Sequence, residues 1–208
     1  MKEVVVLLHG LGRTPASMLA LSLVARCRGY RVINWHYRST RASIAEHASR
    51  FAREVLPRLS PAPRVHFITH SLGGIIVRQL LATHSLPNLG RVVMLAPPNG
   101  GSEVADVLQR SRLLSLLIKP ARELGTRGLP ATLPAVDYPV AVIAGTRSHI
   151  PLFSAWMHHA PNDGVVALER TKVAGMREFL VLPRTHTMLP WAPEAIRAAM
   201  GFLAASNS

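Results

Sequence analysis

The chain has only one cysteine, Cys27. No intrachain disulfide can form, so the fold must rest on a packed core. Acids are scarce, with 11 Asp and Glu against 24 Lys and Arg and a formal net charge of +13. Lysine is scarce as well, since 21 of those 24 bases are arginine. Charged residues fill only 17% of the 208 positions and hydrophobic ones fill 49%. That balance excludes a chain held open by its own charge. No apolar run approaches the roughly 20 residues of a membrane-spanning helix. The stretch Val4–Leu8 is too short for the core of a secretion signal and leads straight into a glycine-bearing turn, so it reads as a strand. With no signal and a lone thiol, the expected location is the cytoplasm.

The arginines are scattered, with no basic run and no zinc-finger or RNA-binding signature. Nucleic acid is therefore not an expected partner. A compositional preference for arginine explains most of the surplus. Weak attraction to anionic membrane surfaces or substrates is the other reading.

Short apolar runs alternate with helical patterns. Strands are predicted at Glu3–Leu8, Arg31–His36, Arg64–Thr69, Arg91–Leu95, Pro139–Ala144 and Glu178–Leu182. Most are continuous rather than alternating, as strands buried on both faces should be. Helices are predicted at Pro15–Cys27, Ile44–Leu59, Leu72–His84, Glu103–Leu117 and Trp191–Ala205. The alternation implies one α/β domain over residues 1–208, a mostly parallel six-stranded sheet with helices on both faces. Ligands then belong at the carboxyl ends of the strands. Residues 103–136 leave this pattern and form an insertion. Within it Val104, Val107 and Leu108, then Leu114, Leu117 and Ile118, recur at helical spacing.

The most informative segment runs from Val65 through Ser71 to Val77, a strand breaking directly into a helix at a serine. Such a turn lifts the hydroxyl above the sheet edge. Its tightness calls for small residues two positions either side. Gly73 satisfies this on one side, with Gly74 allowing close helix packing, and Thr69 stands on the other side where glycine is usual. Amides opening the following helix can stabilise charge on an attacked carbonyl. Ser71 is thus the candidate nucleophile.

Four blocks in this order resemble the α/β-hydrolase superfamily, and small bacterial lipases and esterases in particular. They are His9-Gly10-Leu11-Gly12, Thr69-His70-Ser71-Leu72-Gly73-Gly74, Asn162-Asp163-Gly164-Val165-Val166, and His186 after the last strand. The block Pro97–Ser102 adds to the likeness. The resemblance implies a minimal six-stranded α/β-hydrolase fold in which 103–136 is lid-like. It implies a triad of Ser71, Asp163 and His186, with oxyanion donors at the backbone amides of Leu11 and Leu72. His9 is expected to hold its loop, and Gly10 and Gly12 to let the backbone approach the substrate. Of the rival acids, Asp137 precedes a strand, Asp106 falls in the insertion and Glu169 is more distant. Of the rival histidines, His70 should point away from the serine, and His149, His158 and His159 lie in a loop. Ser102 most simply caps the helix from Glu103.

The function implied is hydrolysis of carboxylic esters through an acyl-enzyme, with an apolar acyl group and no metal or organic cofactor. A thioesterase or acyltransferase with the same triad, and a non-catalytic binding protein of this fold, remain open.

Overall fold

Every side chain of the first strand, β1 (Val4–Leu8), is sealed from solvent. Because neighbours on a strand face opposite ways, that requires apolar cover on both sides. The computed structural model, which describes residues 2–110, 118–158 and 160–205, supplies it. Val4, Val6 and Leu8 enter one core, and Val5 and Leu7 enter another.

The remaining strands are β2 (Arg31–Trp35), β3 (Val65–His70), β4 (Leu89–Leu95), β5 (Val140–Gly145) and β6 (Glu178–Leu182). Their order across the sheet is β2-β1-β3-β4-β5-β6. All five pairings are parallel, so the sheet is more uniform than expected. The crossovers are helices: α1 (Leu19–Cys27), α2 (Ile44–Glu54), α3 (Leu56–Leu59), α4 (Leu72–Thr83), α5 (Glu103–Arg110), α6 (Leu129–Thr132), α7 (Pro151–Trp156) and α8 (Pro193–Ala204). Helices α2 and α4 cover the first core, through Phe51, Ile75 and Leu80 among others. Helices α1 and α8 cover the second, through Leu21, Ala199 and Phe202. Burying a Phe or Leu side chain contributes roughly 1.5–3 kcal/mol, so the two layers carry the stability that disulfides do not.

Departures from the sequence reading have local causes. The helix expected over Ile44–Leu59 breaks at Val55. Pro57 has no N–H to donate and its ring opposes the carbonyl four residues back. A capping box between Ser43 and Glu46 starts α2. Pro15 opens a 3₁₀ turn, Pro15–Met18, before α1, and Pro193 starts α8 after a second such turn, Leu189–Trp191. Helix α7 forms where only a long loop was expected. Of the helix expected over Glu103–Leu117, the part to Arg110 is present. Leu114 and Leu117, like His159, lie outside the described residues. Among the described residues no helix is long and apolar enough to cross a membrane.

The segment 130–134 is tied to the core by Arg78 of α4. Its buried guanidinium donates to the carbonyls of Asn99, Pro130, Leu133 and Pro134, and to Asn99 Oδ1, at 3.0–3.3 Å. Five oxygens stand in for water around a cation that has lost its hydration.

Candidate active site

Ser71 sits between β3 and α4 with φ 52° and ψ −121°. An L-residue seldom adopts this conformation, and the turn around it explains why it does so here. A Cβ on Gly73 would lie 2.6 Å from the carbonyl oxygen of Leu8, so α4 can start this close to β1 only with glycine there. A Cβ on Gly74 would meet Pro97 and Thr69 at 3.2–3.3 Å. Thr69, at the position where glycine is usual, fits because its hydroxyl turns aside to the carbonyl of Val93 on β4 (3.3 Å).

The carboxyl ends of β5 and β6 bring up the other two residues. Asp163 Oδ1 accepts from the amides of Val165 and Val166 at 2.9 and 2.8 Å. Its Oδ2 lies 2.7 Å from His186 Nδ1. A carboxylate oxygen only accepts, so the hydrogen is on Nδ1 and the lone pair of the neutral ring is on Nε2. A second bond, from the His186 amide to the Asp163 carbonyl (2.9 Å), fixes the same pair through the main chain. Asp163 is 1% exposed and His186 8%. Ser71 and His186 line one cavity of about 180 Å³.

The rest of that cavity comes from the sequence-predicted blocks and from residues they did not include. Gly10 and Leu11 line it. A Cβ on Gly10 would lie 2.9 Å from His70 Nδ1 and 3.2 Å from Ser71 Cβ. Gly12 has φ +66°, closing a turn in which the Arg13 amide donates to the Gly10 carbonyl. Leu72 is the first residue of α4, where amides have no acceptor within the helix. His9 lies buried behind the loop. Its Nδ1 donates to the Gly10 carbonyl (3.0 Å), and its ring stacks on Tyr37 at 4.2 Å. The Tyr37 hydroxyl donates to the His9 carbonyl, and Ser39 Oγ accepts from the Gly12 amide (3.0 Å). Burial lowers the basicity of the His9 ring, and its bond to Gly10 opposes that only in part.

His70, expected to point away from Ser71, lines the same cavity as Ser71 and His186, and its ring has a partner there. Its Nε2 donates to the backbone carbonyl of His186 (3.0 Å), and the two rings lie 4.8 Å apart. Burial, followed by the neighbouring His186, holds His70 well below the ordinary imidazole range, so its ring stays neutral. Tyr37, Ser39 and His70 act through contacts distant in sequence, and no spacing rule reveals them. Gly145, ending β5, is similar: a Cβ there would strike the Arg184 carbonyl and approach Asp163 Cβ to 2.9 Å.

The rival acids lie elsewhere. Asp137 is exposed before β5, Asp106 accepts from the Thr126 amide, and Glu169 pairs with Lys172. Ser102 does reach the start of α5, with its Oγ 3.4 Å from the Ala105 amide, and it also donates to the Val165 carbonyl. Among the described residues no cluster of three or more His, Cys, Asp or Glu side chains is arranged to hold a metal.

No protein-family model and no curated protein matches the chain. Solved structures do match in backbone. The mature lipase BlEst2 of Bacillus licheniformis superposes with a TM-score of 0.73 at 18% identity, covering 97% of this chain and 92% of that one. The phospholipase PlaB of Legionella pneumophila gives 0.72 at 18% identity, covering 99% of this chain and 60% of that one. The esterase EaEST of Exiguobacterium antarcticum gives 0.62 at 15%, covering 98% and 92%. Identities this low carry the architecture and no more. That architecture, a parallel sheet breaking into a helix at a serine, is the α/β-hydrolase fold, and this chain has it.

Proposed function

We propose that the chain is a serine hydrolase that cleaves carboxylic esters through an acyl-enzyme on Ser71. The observation that carries this reading is the bond from His186 Nδ1 to a buried Asp163, in a histidine that shares a cavity with Ser71. It leaves Nε2 as the ring nitrogen able to accept a proton.

His186 Nε2 takes the Ser71 proton as Oγ bonds to the ester carbonyl carbon. The amides of Leu11 and Leu72 receive the oxyanion. The carbon–oxygen bond to the alcohol then breaks, and the alcohol leaves with the proton from His186. Water repeats the sequence, losing a proton to His186, and releases the acid and free serine. Asp163 keeps the tautomer and stabilises the imidazolium.

Val104, Leu108, Ala121 and Leu124 give the cavity an apolar wall, which supports an apolar acyl group. These residues belong to the 103–136 insertion, which we read as the lid-like part of a single domain. The surplus of positive charge supports weak association with anionic membrane surfaces.

A fluorophosphonate probe should label Ser71, and Ser71→Ala should lose both labelling and p-nitrophenyl ester turnover while its circular dichroism is unchanged. Activity within a few-fold of the parent would reject the assignment.

A further inference from the structure

The cavity beside Ser71 is asymmetric in charge. Its apolar wall comes from α5 and from Ala121 and Leu124. On the side built by the loops after β1 and β6 stand Leu11, Arg13 and Thr187. Among the described residues lining the cavity, Arg13 alone carries a permanent charge, and no carboxylate lines it.

Arg13 is held at this rim by geometry. The turn from Gly10 to Arg13 reverses the chain immediately after Leu11. One guanidinium nitrogen then reaches across to Thr187 Oγ1, at 2.9 Å, on the residue that follows His186. Several other bases of this chain pair with acids: Arg50 with Glu54, Arg170 with Glu103, Arg184 with Glu194. The partner of Arg13 here is a neutral hydroxyl. The group is exposed, and a guanidinium has five N–H donors, in a fork suited to carboxylate and phosphate oxygens. Its field also reaches the site: after burial and His186, it is among the influences that keep His70 neutral.

We propose that Arg13 is a specificity residue for substrates carrying an oxyanion on the alcohol side of the scissile ester, with Thr187 holding the guanidinium ready. The assignment rests on the hydrolase reading above. With the acyl chain along the apolar wall, the alcohol portion lies toward the two loops that present Arg13. Phosphate and carboxylate share the required chemistry, two or more anionic oxygens on a short tether, and the experiment separates them.

Three esters with one acyl group serve as probes: 1-hexanoylglycerol, 1-hexanoylglycerol 3-phosphate and the hexanoyl ester of glyceric acid. The readout is the ratio of kcat/KM for each anionic ester to that for the neutral one, in the parent and in Arg13→Gln. The parent should prefer at least one anionic ester, and the variant should lower that ratio fivefold or more. Whichever anionic ester shows the larger drop identifies phosphate or carboxylate as the group recognised. A drop smaller than fivefold for both overturns the assignment of Arg13 while leaving the hydrolase intact. Fluorophosphonate labelling with no turnover of any of the three overturns the substrate class. No labelling and no turnover overturns the hydrolase reading itself.

Discussion

The ring of His70 donates to the main-chain carbonyl of His186, so the residue beside Ser71 steadies the backbone of His186. The bond spans 116 positions of sequence. Replacing His70 with leucine leaves a buried carbonyl without its donor, which costs about 1–3 kcal/mol. The loop carrying His186 should loosen, and kcat on p-nitrophenyl esters should fall roughly tenfold, equivalent to about 1.4 kcal/mol. His70→Gln, which keeps an N–H donor, should retain most of the rate. Equal losses in both variants would show that the bond does not matter.

Asp163 offers a sharper test. In Asp163→Asn the side-chain oxygen can still accept from the amides of Val165 and Val166, which turns the NH2 group toward His186. Nδ1 must then accept, and the hydrogen moves to Nε2, where it blocks general-base action. Steady-state kinetics should show kcat reduced on the order of 10⁴-fold with KM little changed.

Gly145 should be intolerant for a steric reason. An added methyl meets a backbone carbonyl, Arg184, and the Cβ of Asp163. Neither is the end of a flexible side chain, so β5 and β6 must part slightly. Gly145→Ala should lose about 1–3 kcal/mol in urea denaturation, and it should also lose activity by displacing Asp163.

Much of this molecule is legible in its sequence because its dominant forces are local or periodic. Continuous apolar runs reveal the six strands to within two residues at either end. The serine block reveals the turn, and the Asn162–Val166 block, singled out by resemblance, holds an Asp163 whose carboxylate accepts from the amides of Val165 and Val166. What escaped the sequence reading depends on contacts between distant segments. Arg78 looks like one more arginine on an apolar helix until five carbonyl oxygens from Asn99, Pro130, Leu133 and Pro134 surround it. Tyr37 and Ser39 look like ordinary loop residues until they are seen bonded behind the His9–Gly12 turn. Thr69 departs from the glycine usual in the serine motif, and its hydroxyl turns to the Val93 carbonyl.

Acid should destabilise the protein through histidines buried in neutral form. Burial pushes His47 down to about 4 from its ordinary 6.5. The unfolded chain therefore binds a proton between these values that the folded chain refuses, and stability rises with pH across the window. The contribution is fully present above about 6.5 and is lost as pH falls toward 4. His70, also lowered, acts in the same direction. Guanidinium denaturation at pH 7.5 and pH 5 should show the loss, and His47→Gln should reduce the difference between the two pH values.

The backbone at Ser71 has a cost in evolution as well as in folding. A residue with a side chain occupies a conformation that glycine would take more easily, at a penalty of roughly 1–3 kcal/mol. Selection of random variants for heat resistance alone would therefore favour glycine at the one position where the proposed chemistry needs a hydroxyl. The hardiest descendants of such a screen would be inert.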